Sequence, residues 1–284
     1  RNSVSLFTNG GLDEIRGLNT ALLDGQQSVE ILMEHHLQGN MNRYPLIVIP
    51  GWDYLLPSFR DDLLVYVKNG GMLLVIGADA CKLFEHESGV EFKDQTDRAT
   101  KWLGFSGNMA AVEGRVQKVV LPKDVKTIGG IYDAQDFRFS SMPAAATLNC
   151  GKGQIGFVFM DMGKNYENNQ STVERDFLNA VVKELFQHPA VEVKGSHLVH
   201  VIVNTLNRKM IVHLINTGGQ HASKNVYAYD EVPAVGPLTV TIRTAKPSRV
   251  VLEPEHKPLP FTFANGIVNV KLQQLSIHSM IVLE

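Results

Sequence analysis

The sequence predicts an α/β domain followed by an all-β sandwich, and three observations carry that prediction. Up to about Pro189, short unbroken apolar runs such as YPLIVIPG (44–51) and MLLVIG (72–77) alternate with helical stripes, the pattern of parallel strands covered on both faces. After His188-Pro189 the apolar period changes from 3.6 to 2. The strands of that second half are short and separated by Asn, Gly and Pro clusters, as in a sandwich. With 284 residues and 44% hydrophobic content, the chain is long enough to bury two modest cores.

Taken in order, Val4–Phe7 reads as a short strand ending in Asn9-Gly10-Gly11. Apolar residues at Leu22, Val29, Leu32 and Met33 predict a helix over 20–37, interrupted by Gly25. The run at 44–51 is a buried strand. A helix follows, with Pro57 in its first turn, Phe59, Leu63 and Val67 on one face, and Lys68 and Gly70 closing it. With the strand at 72–77 this makes a right-handed βαβ unit. Between about 90 and 150 the pattern loosens into a helix at 94–103 and strand-like pieces at 115–121 and 137–139, the look of an insertion or edge hairpins. GKGQIGFVFMDMG (151–163) supplies another buried strand. Ser171-Thr172-Val173-Glu174 reads as a capping box, opening a helix with an apolar stripe at Val173, Phe177, Val181 and Leu185. Five strands are then expected at 198–204, 209–216, 238–244, 248–254 and 280–284. Asn265-Gly266 marks a type I′ hairpin between Phe261–Phe263 and Ile267–Val270.

Composition excludes several classes of function. Lys plus Arg number 27 against 29 Asp plus Glu, so a formal charge of -2 offers no field for nucleic acid. No apolar run approaches the roughly 20 residues of a membrane-spanning helix. Two cysteines, Cys81 and Cys150, exclude a disulfide scaffold. The opening RNSVSLF has no initiator Met and no export signal, which points to a processed chain or a piece of a longer one.

An open α/β sheet binds ligands beyond the carboxyl ends of its strands, which directs attention to Asn9, Trp52, Asp53, Asp79, Cys81 and Asp161. Trp52, Asp79 and Asp161 are the candidate ligand contacts. Cys81 is the candidate nucleophile of a cysteine-dependent hydrolase, yet it is followed by Lys82 where a nucleophile elbow needs a small residue. No histidine base follows the strand at 157–160 until His188. His86-Glu87 is a single nearby pair. Neither metal-ligand spacing nor a cofactor fingerprint is present: His35 and His36 are adjacent, GKGQIG precedes a strand, and His200, His213 and His278 fall on strand faces. No catalytic residue, metal or cofactor is therefore assigned.

The segment YPLIVIPGWDYLLPSFRDDLLVYVKNGGMLLVIG resembles the catalytically dead amidotransferase-like domain of glycoside hydrolase family 42 β-galactosidases, and Gly151–Met162 resembles its later strand. HLINTGG (213–219), PLTVTIRTAKPSRVVLEPEHKPLPF (237–261) and LSIHSMIVLE (275–284) resemble the closing β-sandwich of secreted bacterial glycosidases. Residues 85–150 depart from that pattern. The resemblance implies a flavodoxin-like, amidotransferase-like doubly wound parallel sheet over 1–190, with an insertion at about 85–150, and a β-sandwich over 191–284. It further implies an accessory region that is not itself catalytic. Its partners would be an upstream catalytic barrel of the same polypeptide, further copies in a homo-oligomer, and glycan, in a periplasmic or extracellular setting. A stand-alone carbohydrate-binding protein is the other expectation beside the Cys81 hydrolase.

Overall fold

A computed structural model of the chain describes residues 12–123, 125–218 and 231–284. The strand expected at Val4–Phe7, and Asn9, lie outside the described residues. The chain forms two compact units: one takes the chain to Ala21 and then Ile31–Gln187, the other Leu22–Glu30 and His188–Glu284.

The first helix, α1, covers Leu12–Asp24 and not 20–37. Its buried stripe is Leu18, Ala21 and Leu22, and the chain leaves the helix at Gly25-Gln26, where Gln26 takes φ 63°. Gly17 argued against helix by propensity, but packing requires it: a Cβ there would lie 1.7 Å from the carbonyl oxygen of Gly163. Of the rest of the predicted helix, only Glu34–Leu37 forms a helical turn.

Strand β1 (Leu46–Pro50), helix α2 (Pro57–Lys68) and strand β2 (Met72–Ile76) form the expected βαβ unit, with β1 and β2 parallel from Leu46↔Met72 to Pro50↔Ile76. Phe59, Leu63 and Val67 are buried as their spacing predicts. Then come β3 (Glu91–Gln95), β4 (Ala99–Phe105), β5 (Asn108–Gly114), β6 (Gln117–Val120), β7 (Lys126–Tyr132), β8 (Met142–Cys150) and β9 (Gly153–Val158). The helix expected at 94–103 is replaced by β3 and β4. The deciding signal is Ser106-Gly107, two residues at φ 50° and 80°, the backbone of a tight hairpin turn that joins β4 to β5. Phe137–Phe139 is a turn in which Asp136 accepts the Arg138 backbone N–H at 2.9 Å.

The seven-stranded sheet has the order β1-β2-β9-β8-β7-β4-β5. Only β1, β2 and β9 run parallel; β8, β7, β4 and β5 are antiparallel to their neighbours, so the sheet is mixed and not the wholly parallel sheet expected. Residues 99–150 thus supply four of the strands of the main sheet. Helices cover both faces. On one, α2 packs with Leu73, Val75, Ile155 and Phe157 in a single core cluster. On the other, after α3 (Gly163–Asn169), the helix α4 (Thr172–Leu185) buries Phe177, Leu178, Val181, Val182 and Leu185, each side chain contributing about 1.5–3 kcal/mol.

The second unit contains β10 (Val191–Lys194), β11 (Val199–Leu206), β12 (Lys209–Asn216), β13 (Leu238–Arg243), β14 (Val250–Glu253), β15 (Lys257–Pro258), β16 (Phe261–Ala264), β17 (Ile267–Leu272) and β18 (His278–Leu283). They form two antiparallel sheets, β10-β13-β17-β16 and β11-β12-β18-β14-β15. Inward residues of both, including Val193, Val201, Val212, Val240, Val270 and Ile281, share one apolar cluster, the arrangement of a sandwich. Asn265 (φ 52°) and Gly266 (φ 76°) make the predicted hairpin turn.

Candidate functional site

The carboxyl ends of β1, β2 and β9 converge on one edge of the mixed sheet, where a ligand of an open α/β sheet is expected. Asp79 lies in the short helical turn Ala78–Lys82 just past β2, and Asp161 lies just past β9. Arg115, between β5 and β6, joins them. Its Nε donates to Asp161 Oδ2 at 3.0 Å and its Nη1 to Asp79 Oδ2. The other oxygen of Asp161 accepts the Ala78 backbone N–H at 3.1 Å, and that of Asp79 accepts Gln95 Nε2 at 2.7 Å. Burial pushes the Asp79 carboxyl up, but the Gln95 hydrogen bond and the Arg115 charge outweigh it and hold the group below the usual carboxylate range.

A second internal group closes the same edge. Glu14, from α1, reaches the start of α3: its Oε1 accepts the backbone N–H of Met162 at 3.2 Å and of Gly163 at 2.7 Å, and its Oε2 that of Lys164 at 2.9 Å. The first amides of a helix lack intrahelical partners and favour an anion. Here the protein supplies its own carboxylate to them. Both acidic candidates and the free helix end are therefore satisfied from within the chain.

Trp52 follows β1 on this edge, half-buried against the core cluster, and its indole Nε1 is buried with no hydrogen-bond partner among the described residues. Arg115 brings Asp79 and Asp161 together; no hydrogen bond joins Trp52 to either. Asp53 is exposed. Cys81 is fully buried, its Sγ 3.3 Å from the Val158 carbonyl oxygen. Burial, helped by the negative charge of Asp161, pushes its thiol well above the ordinary range, the reverse of what a nucleophilic thiolate needs. Glu87 pairs with Arg60, which also lies 5.6 Å from the Phe84 ring centroid.

Two arrangements escape a reading of spacing alone. Glu174 does not form a cap bond at the start of α4; it is wholly buried, with Oε1 accepting Asn165 Nδ2 at 2.6 Å and Oε2 without a partner among the described residues. Burial raises its carboxyl from 4.5 to about 8; the Asn165 bond opposes this and the charge of Glu14 adds to it. In the second unit His213 and His278 stack, with ring planes 8° apart and Nδ1 of the first 3.1 Å from Nε2 of the second. Both point away from the sandwich core, and nothing in their sequence separation signals the pairing. Among the described residues, no group of three or more His, Cys, Asp or Glu is placed to hold a metal ion, and no helix is long and apolar enough to cross a membrane.

No family model matches the chain, and no curated protein sequence matches it. Solved structures do. The chain is similar to α-L-fucosidase isoenzyme 2 from Paenibacillus thiaminolyticus, with a TM-score of 0.76 and 16% identity over 94% of this chain and 44% of the fucosidase. It is also similar to Gan42B, a GH42 β-galactosidase from G. stearothermophilus, with a TM-score of 0.59 and 14% identity over 94% of this chain and 35% of that one. A third likeness is to the β-galactosidase of Bacillus circulans sp. alkalophilus, with a TM-score of 0.61 and 11% identity over 96% and 37% of the two chains. At these identities the likeness is one of fold. The chain spans less than half the length of each of these enzymes.

Proposed function

We propose that this chain is a non-catalytic accessory region of a larger glycoside hydrolase. In this reading residues 1–190 form a silent amidotransferase-like domain that serves assembly, and residues 191–284 form a sandwich that buttresses a catalytic barrel encoded upstream. The observation that carries it is the filled crevice at the carboxyl edge of the sheet. Arg115 is clamped between Asp79 and Asp161, and Glu14 takes the free amides of α3, so the place where an α/β enzyme of this kind would bind substrate is held by the chain itself. The buried, hard-to-ionise Cys81 supports the same reading against a cysteine hydrolase. The fold likeness to part of a fucosidase and of two β-galactosidases supports the glycosidase setting.

The test is a hydrolysis screen on nitrophenyl glycosides with this chain and with the product of its whole gene, side by side. Turnover by the whole product alone is the expected result. Turnover by this chain alone overturns the proposal and returns attention to Cys81, Asp79 and Asp161.

A further inference from the structure

Glycan is among the partners that the resemblance implies for such an accessory region, and at the strand ends Asp79 and Asp161 are already engaged by Arg115, Gln95 and the Ala78 amide. The inference below rests on that reading and places the contact elsewhere in the first unit. β4 and β5 pair along seven residues, but β4 and β7 pair only from Trp102↔Tyr132 to Gly104↔Gly130. Beyond the two facing glycines the strands part, and a groove of about 410 Å³ opens between the β4–β5 turn and the first half of β7. That volume lies in the range of small-ligand sites, roughly 300–1,000 Å³.

The chemistry of the groove is specific. Tyr132 lies across the two glycines: a Cβ on Gly104 would come 2.6 Å from its ring, and one on Gly130 3.1 Å. Phe137 stands edge-on to Tyr132, with centroids 5.4 Å apart and ring planes at 83°, and keeps 48% of its surface exposed. Exposed hydroxyls of Ser106, Thr127 and Ser141 complete the lining. Among the described residues no charged side chain lines it, and the nearby cations are already paired, Lys101 with Asp133, Lys126 with Glu184 and Arg138 with Asp136, each at 2.5 Å. A phosphate or carboxylate would find no counter-charge here. An aromatic wall for C–H faces, neutral hydroxyls and strand backbone at a parting of the sheet fit an uncharged, hydroxyl-rich ring.

We propose that this groove binds one neutral sugar unit of a glycan, with Phe137 as its stacking wall. The test is ligand-observed NMR titration of this chain with the methyl glycosides of galactose, fucose and glucose, with glucuronic acid as the charged comparison. Binding with a Kd on the order of 1 mM to at least one neutral glycoside is expected, and none to glucuronic acid. Phe137→Ala is expected to weaken it about tenfold, Ser141→Ala by a smaller factor, and Phe139→Ala, more exposed but outside the groove, not at all. All three sites are on the surface, so unchanged tryptophan fluorescence certifies the fold. Absence of binding, or binding that survives Phe137→Ala or falls equally with Phe139→Ala, overturns the inference. The hydrolysis screen on the whole gene product bears on the accessory role alone, so the two readings fail separately.

Discussion

Replacing Glu174 with glutamine is expected to stabilise the first unit and to flatten its response to pH. The carboxyl is wholly buried at the start of α4, with one oxygen bonded to Asn165 and the other unpartnered, and its pKa rises from 4.5 to about 8. A raised pKa means that the folded protein holds a proton that the unfolded chain has already released. The stability is therefore fully present below about pH 4.5 and falls as pH climbs towards about 8, by about 1.4 kcal/mol per pH unit. That amounts to about 3 kcal/mol at pH 7 and about 5 kcal/mol across the whole window. Glutamine has the shape of the protonated acid and keeps an oxygen for Asn165, so Glu174→Gln is expected to gain those amounts and to match the parent near pH 4.5. Urea unfolding between about pH 5 and 8, followed by tryptophan emission, isolates the effect because both tryptophans, Trp52 and Trp102, belong to this unit. If parent and variant lose stability in parallel over that range, Glu174 is not the proton-linked group and the reasoning fails.

Three further outcomes follow from the packing. Arg115→Ala is expected to cost about 1 kcal/mol, in keeping with a half-exposed ion-pair network. It should also raise the pH at which Asp79 protonates, visible as a shifted carboxyl titration by NMR, because only the Gln95 hydrogen bond and the Lys82 charge then oppose burial. Gly17→Ala is expected to lose about 3 kcal/mol or more in urea melts, since the new Cβ meets the Gly163 carbonyl, while Gly39→Ala, with nothing within 4 Å, costs only the roughly 1–2 kcal/mol of its positive φ. A thiol reagent is expected to label Cys150 and leave Cys81 untouched in the native protein, and to label both in denaturant; rapid native labelling of Cys81 would show that its burial is not what the geometry implies.

The elements that could be read from the sequence are those whose signal is local. Pro57 and the Phe59, Leu63, Val67 stripe specify α2 within a few residues of chain, and Asn265-Gly266 specifies its hairpin through backbone conformation alone. Misreadings occur where a distant partner decides. Gly17 weakens a helix in isolation but, with Gly163 opposite it, lets α1 meet α3, and the helix starts eight residues earlier than periodicity places it. Gly129-Gly130 dilute the strand pattern of β7, yet the sheet needs Gly130 facing Gly104 so that Tyr132 has somewhere to lie. The Ser171–Glu174 spacing is that of a capping box, but Asn165, nine residues before Glu174, draws the carboxylate inward.

The same distinction explains what happened to the candidate site. Strand ends locate Asp79 and Asp161 from sequence because position beyond a strand is a local property. Whether that position is open to a ligand is a non-local one, and it turns on internal partners such as Glu14 and Arg115, which come from 147 positions before and 46 positions before Asp161 respectively. A ligand that has to break this half-exposed charge pair gives up the attraction between its partners, about 1 kcal/mol, before it gains any contact. A neutral groove with a pre-placed aromatic wall carries no such loss. That difference favours recognition at the parting of β4 and β7 over recognition at the strand ends, and it makes Phe137 a better first target than either aspartate.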